Sequence, residues 1–433
     1  MAKKRPAKGS RAVKQSVVRE QVVQPDYYAK FRCIGGECED SCCRFAWRVD
    51  IDRATWQRYQ ACQSETLKPL LQEFIQPEPS PDLRRLGKFA TVKFLPNQDC
   101  PFLNADMLCM IHKELGEEAL CNTCAAYPRV VNRFGQQGEY GLAVSCPEAA
   151  RVALLHPEPT VLVVGDVDGA LARRGIMNFT VDGGARNVSV MNQLRVLILR
   201  VLQWRNVSLG ARMMLLGSLL NEVSPSQGGP RFRDAAGMTS VLDTYATLFA
   251  DPGYVEAEFE QLPGNLPRKL QYTTGFLADF LTGATPRFQE CLTAFASGLL
   301  NGNANETAGS MAALMAHYER IYDDFYLPYF REKSYVLENY LVNEVLYGLF
   351  PFVRGSVIEL YRAMVFNLAI IQVMLVGIAG HYKGLTDERA IQFIQSFARR
   401  SAHNDSYIRE LTEAIASKDE PSFVEVMWML KER

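Results

Sequence analysis

Nine cysteines, spaced in tight groups, constrain the first third of this chain more than any other feature. They run Cys33-x4-Cys38-x3-Cys42-Cys43, then Cys100 and Cys109, then Cys121-x2-Cys124, then Cys146. Cys62 stands among them outside any group, and after Cys146 only Cys291 follows. Thiolates are soft ligands that select zinc, copper(I) or iron–sulfur clusters. A disulfide framework is the competing account, but it suits small secreted chains. This chain has 433 residues, and no apolar stretch follows its basic N-terminus to suggest a secretory signal. The vicinal Cys42-Cys43 pair and the close Cys121/Cys124 pair fit ligation in a reducing compartment better, so a cytoplasmic location is expected.

Zinc ribbons pair two C-x2-C knuckles, and this chain has one. A four-iron cluster takes four thiolates at looser spacing. Nine thiols exceed either need. Two centres form, or some thiols act in a second layer, in redox chemistry or in packing. Cys62 and Cys291 read as small core residues. His112, three residues past Cys109, is either a further ligand or an ordinary hydrogen-bonding histidine. The C-x3-C-x2-C triplet of radical enzymes that use S-adenosylmethionine is absent, because Cys43 follows Cys42 at once.

Hydrophobic residues make up 48% and charged residues 22%, a normal globular balance. A net charge of -1 argues against a surface built for nucleic acid. The length predicts more than one domain. Residues 1–24 read as a basic disordered lead, 25–150 as a cysteine-rich α+β metal or cluster module, 151–185 as a connector with a strand at Val161–Val164, and 186–433 as an irregular helical domain. The fold class expected is therefore mainly α. In the module, Trp47–Ile51 and Lys88–Phe94 read as strands. Asp52 reads as the cap of a helix through Tyr59, and Pro77, Pro79 and Pro81 read as a loop. Residues 134–145 read as a hairpin.

Apolar residues recur at helical spacing over 190–204, 213–220, 312–325, 335–350, 357–380, 387–402 and 407–416. The apolar run Met364–Gly380 is short for a bilayer and carries Asn367 and Gln372, so a buried core helix is expected rather than a span. No fixed-period repeat, Walker A, G-x-G-x-x-G, G-x-S-x-G or H-E-x-x-H pattern occurs. A segment from Tyr318 to Tyr329, followed by Glu338 to Glu344, mixes acids with aromatics. It could hold a cationic ligand or pack its rings into a core.

Several of these runs resemble flagellin lysine-N-methylases of the FliB type. They are Tyr27–Gly35 with Cys38–Cys43, Cys100–Leu103, Leu120–Cys124 with Tyr127–Arg129, Ser145–Arg151, and downstream Glu338–Asn343 with Leu349–Phe352. The cysteine module alone is also similar to a broader group of zinc- or iron-chelating domains. The narrower resemblance implies a protein-lysine N-methyltransferase acting on flagellin. It implies S-adenosylmethionine as donor and an iron–sulfur cluster, four-iron in type with zinc as the alternative, on the cysteines named above. On that reading Glu338, Tyr340 or neighbouring acids receive the substrate lysine. The methyl passes by in-line displacement, or the cluster donates an electron and starts radical chemistry. A metal- or cluster-binding protein without transferase activity, a sensor or carrier, is the alternative function.

Overall fold

A computed structural model describes residues 20–45, 47–134, 137–167, 176–179, 185–224, 232–280, 284–300, 311–353, 356–402, 407–416 and 423–432. The chain is mainly helical with two small sheets, in line with the helical periodicity. The strands are β1 (Glu20–Pro25), β2 (Asp50–Ile51), β3 (Ile75–Pro77), β4 (Ala90–Val92), β5 (Arg129–Phe134), β6 (Gln137–Leu142), β7 (Leu162–Val167) and β8 (Ile176–Phe179).

The larger sheet has the order β7-β1-β6-β5-β8. β1 pairs antiparallel with β7 and parallel with β6, so the chain's first described strand lies inside the sheet. It begins at Glu20, within the stretch read as a basic lead. Pairing on both edges and burial of Val22 give these residues a place that net charge alone does not reveal. Residues 1–19 lie outside the described residues. The expected hairpin is present as β5–β6, beginning at Arg129 rather than Phe134.

The smaller sheet, β2-β4-β3, supports the cysteine loops. Its first strand is only Asp50–Ile51, because Trp47 turns aside to donate from Nε1 to the Cys42 carbonyl at 2.8 Å. Asp52 caps helix Arg53–Gln60 as its position predicts, accepting from the Thr55 amide at 3.0 Å. The proline-rich stretch is not all loop. Pro81 sits in the first turn of a short helix, Pro81–Arg85, whose cap is Ser80, a placement where its missing N–H costs nothing.

Helix Val357–Tyr382 is long and apolar enough to cross a membrane by composition, and its apolar window is wholly buried inside the protein. It is the axis of the helical region. Helix Pro286–Leu300 crosses it closely because Gly298, Gly377 and Gly380 leave no side chain at the crossing. A Cβ on Gly298 would lie 1.8 Å from the Gly377 carbonyl oxygen.

Periodicity located most of the remaining helices, among them Ala185–Leu202, Leu209–Val223, Tyr335–Tyr347 and Asp387–Ser401. It missed Ala235–Leu248, Pro252–Gln261, Leu266–Phe280, Pro286–Leu300 and Phe423–Trp428. Two of these carried a readable start: Asp234 and Asp251 each accept from the amide three residues on, at 2.9 Å. The acidic-aromatic segment packs inward. Tyr318, Tyr322, Tyr326 and Phe330 follow one another with ring centroids 6.5, 5.1 and 4.4 Å apart, while Asp323 and Asp324 face solvent.

Among the described residues, the buried apolar ones form two clusters. The larger unites the helices with Val22, Tyr27, Phe31, Tyr140 and Leu154. The smaller lies under β2-β4-β3 and includes Ile51, Tyr59, Cys62, Leu67, Phe102 and Cys121. Cys62 and Cys291 are both buried.

Candidate metal centre

The cysteine loops are fixed mainly by backbone bonds. The Cys100 amide donates to the Cys43 carbonyl at 2.8 Å, tying the first loop to the second. Gly36 lies so close to the next loop that a Cβ there would meet the Asp106 carbonyl oxygen at 2.6 Å. Asn104 folds that loop by accepting from the Asp106 and Leu108 amides at 3.0 and 2.9 Å. Cys109, Cys121 and Cys146 each stand at the N-cap of a short helix: Met110–Leu115, Asn122–Ala126 and Pro147–Leu154. Asp52 joins the helix it caps to the helix that follows Cys121, because the Oδ2 that binds Thr55 Oγ1 also accepts from the Asn122 amide at 3.3 Å.

These local turns bring all nine predicted thiols together. Cys33, Cys38, Cys42, Cys43, Cys100, Cys109, Cys121, Cys124 and Cys146 line a single cavity of about 210 Å³. Roughly 10–15 Å³ of such volume holds one water, so the space far exceeds what a single ion needs. His112 and Asp40 reach the same cavity, and Phe31, Trp47, Tyr59, Phe94, Phe102 and Tyr127 supply much of the rest of its wall. Cys42 and Cys124, both exposed, are among its lining residues. Among the described residues no three His, Cys, Asp or Glu already stand at ion-binding distance, so the thiols ring a volume instead of meeting at a point.

Crowding and burial keep most of these thiols protonated. Burial pushes Cys38 up to about 11 and Cys146 up to about 12. A hydrogen bond to Cys100, with burial, takes Cys43 to about 12, and the bond to Cys43, with burial, also raises Cys42 above the ordinary thiol range. Cys121 moves the other way: the hydrogen bond from Cys124 holds it below the ordinary thiol range. Metal binding here must therefore expel protons. The donor set fits a soft metal or cluster: nine thiols, one histidine and few hard oxygens.

The helical region closes the cavity from behind. Arg399 Nη1 lies 2.6 Å from Asp40 Oδ1, an ion pair not aligned as a hydrogen bond. Its guanidinium also donates to the carbonyls of Asp40, Ser41 and Arg44, at 3.2, 3.4 and 2.6 Å. Gln395 Nε2 donates to Asp40 Oδ2 at 2.8 Å and to the Ser145 carbonyl at 2.7 Å, joining the first and last cysteine loops. Sequence reasoning missed both residues, and no local signal marks them.

Glu338 and Tyr340 lie elsewhere. Neither lines the cavity. Glu338 is buried, with Arg205 Nε and Nη2 on Oε1 at 3.0 and 2.9 Å and Arg212 Nη1 on Oε2 at 2.6 Å. Tyr340 is buried beside Asn367, which also takes the Tyr407 hydroxyl at 2.5 Å.

Arg205, Arg212, Glu338, Gln395 and Arg399 fall in one region of family likeness. Residues 195–429 match the family described as the FliB lysine N-methylase C-terminal domain, more than half of the chain. The chain belongs to the FliB lysine N-methylase family. Among curated proteins, the chain is 30% identical over 141 residues to a lysine-N-methylase of Salmonella typhimurium, covering 33% of this chain and 34% of that one. It is 30% identical over the same length to the flagellar biosynthetic protein FliU of Salmonella muenchen, covering 81% of that protein. A lysine-N-methylase of Salmonella choleraesuis is 29% identical over 141 residues. The match thus spans about a third of the two lysine-N-methylases. No solved structure matches the chain.

Proposed function

We propose that this chain is a protein-lysine N-methyltransferase acting on a flagellar protein, with flagellin as substrate and S-adenosylmethionine as donor. Its thiol cavity, in the same proposal, holds an iron–sulfur cluster of the four-iron type, with zinc as the competing occupant. What supports the reading is one pairing: a FliB domain at 195–429 in the same chain as a cavity lined by nine thiols. We place the protein in the cytoplasm, where such thiols stay reduced and able to bind metal.

The chemistry sets two demands. A lysine amine is protonated at neutral pH, with an ordinary pKa of about 10.4, and must lose that proton before its lone pair can attack. In the displacement, the amine nitrogen forms a bond to the methyl carbon and the sulfonium–carbon bond breaks. S-adenosylhomocysteine leaves as a neutral thioether, and the proton passes to solvent or a base. A cluster bound in the cavity supplies electrons or an open iron site. Glu338 and Tyr340 stay in the proposal as receivers of the lysine, which requires Glu338 to part from Arg205 and Arg212. With that pair closed they hold the helical frame.

The test is to purify the chain anaerobically and incubate it with flagellin, S-adenosylmethionine and reductant, then read mass increments of one methyl group. Deoxyadenosine among the products rules out simple displacement, and S-adenosylhomocysteine alone rules out the radical route. A colourless protein with stoichiometric zinc removes the cluster. A metal-loaded protein that never methylates flagellin is the non-enzymatic metal binder.

A further inference from the structure

Two asparagines of the downstream motif bind the backbone on either side of a cavity thiol. Asn339 and Asn343 lie one turn apart in helix Tyr335–Tyr347, on the same face, and both are buried. Asn339 Nδ2 donates to the Leu154 carbonyl at 3.1 Å and to the His156 carbonyl at 2.7 Å. Asn343 Nδ2 donates to the Leu142 carbonyl at 2.9 Å and to the Tyr27 hydroxyl at 3.5 Å. Neither Oδ1 has a hydrogen-bond partner among the described residues. Each amide therefore works as a donor only, and a carbonyl can be answered only by its N–H side. The backbone carbonyls they hold all belong to one segment, residues 142–156.

That segment carries Cys146, at the N-cap of helix Pro147–Leu154. Gln395 holds the Ser145 carbonyl just before the helix at 2.7 Å, and Asn339 holds the Leu154 carbonyl at its end. Carbonyls in the last turn have no partner inside their own helix, so Asn339 supplies the one that Leu154 lacks. Arg205, paired with Glu338, takes the Pro157 carbonyl at 2.7 Å. A helix of eight residues is about 12 Å long. Pinned before its first residue and at its last, it cannot swing, and Cys146 keeps its place on the cavity wall.

We propose that Asn339 and Asn343 are positioning residues for Cys146. They act through the backbone that flanks the thiol and touch neither metal nor substrate themselves. The inference rests on the reading of the cavity as a soft-metal site and gives the motif's asparagines their part in it. Ligands that must meet at one metal tolerate little displacement, so a thiol on a segment this short needs both ends fixed. Cys100 and Cys109 pack against the smaller hydrophobic cluster, and they report on the rest of the cavity within the same chain.

The experiment compares the metal-free full chain with Asn339→Leu and Asn343→Leu, which keep the volume and lose the donors. Leaving a buried carbonyl unpaired favours displacement of its segment by about tenfold. Alkylation with iodoacetamide, mapped by mass spectrometry, should therefore speed up about tenfold at Cys146 in each variant and keep the wild-type rate at Cys100 and Cys109. A general loosening of the fold would speed all three alike. That result, or an unchanged rate at Cys146, overturns the proposal. Native-state hydrogen exchange on the wild type needs no variant to fold. The amides of helix Pro147–Leu154 should open together with those of helix Tyr335–Tyr347, and opening of the short helix while the longer one stays closed also overturns it. Loading the wild type with iron and sulfide, or with zinc, tests the reading beneath: no bound metal of either kind removes the soft-metal site, and the result on the metal-free chain stands apart from it.

Discussion

Arg399 and Asp40 lie 2.6 Å apart, joining helix Asp387–Ser401 to the loop that carries Cys38, Cys42 and Cys43. The Asp40 side chain is 1% exposed and that of Arg399 11%, so this is a buried pair. The same guanidinium caps three carbonyls of the loop, and Gln395, one turn earlier, binds both Asp40 and Ser145. The FliB domain therefore builds part of the cysteine cavity's frame: the family match and the thiols form one structural unit.

Removing Arg399 should loosen that frame. Arg399→Ala leaves Asp40 buried with only Gln395 to answer its charge, and breaking a buried pair on one side costs on the order of 3–5 kcal/mol. The expected result is a lower melting temperature with faster alkylation of Cys42 and Cys43, mapped by mass spectrometry. Unchanged alkylation at those two thiols would show that the loop holds its shape without the arginine.

A pH dependence follows from Glu344, which is in helix Tyr335–Tyr347 and largely enclosed, though part of its surface shows. Burial pushes its carboxyl from 4.5 up to about 7. The folded chain then keeps a proton that the unfolded chain loses between those values. The stabilisation is complete below about 4.5 and is lost as pH rises through about 7. Glu344→Gln should raise stability at pH 8 by up to about 3.5 kcal/mol, since one pKa unit corresponds to about 1.4 kcal/mol, and change little at pH 4.5. Urea melts at both values check it. An equal gain at both values would remove the carboxyl's charge as the cause.

The helix crossing gives a steric prediction. Gly298→Ala places a methyl 1.8 Å from the Gly377 carbonyl oxygen and 2.6 Å from the His381 nitrogen. Both are backbone atoms, so the helices must part. Overpacking of this kind costs about 1–3 kcal/mol and sometimes more, and the top of that range is expected here. Denaturant unfolding measures it, and a cost below about 1 kcal/mol would mean that the helices cross farther apart.

What the sequence disclosed and what it hid follow from distance along the chain. Asp52 was readable as a cap because its partner is three residues away. The thiols were readable because nine cysteines in one third of a chain are chemically conspicuous, and their gathering in one cavity matches that reading. Gln395 and Asp40 are 355 positions apart, and no periodicity links them. Arg205 follows the apolar period over 190–204 with nothing local to mark it, and its partner Glu338 lies 133 positions on. Helix Leu266–Phe280 was hidden for another reason: Thr273, Thr274 and Gly275 interrupt its apolar pattern.

Glu338 decides whether the downstream motif serves chemistry or architecture. Its two oxygens face Arg205 and Arg212, and with 1% exposure it has no route to solvent. Glu338→Gln keeps the shape and removes the charge, leaving Arg212, itself 4% exposed, without its carboxylate. A loss of about 3–5 kcal/mol is expected. Adding Arg212→Met should recover part of it, because the orphaned cation goes too. A frame role predicts that the folded fraction of Glu338→Gln, below its melting temperature, methylates flagellin at close to the wild-type rate. A catalytic role predicts a fall of about 100-fold or more in kcat with the fold intact, the scale on which general acid–base groups act. Melting curves and rates on the same samples separate the two, and the Arg212→Met background shows whether any lost rate follows stability.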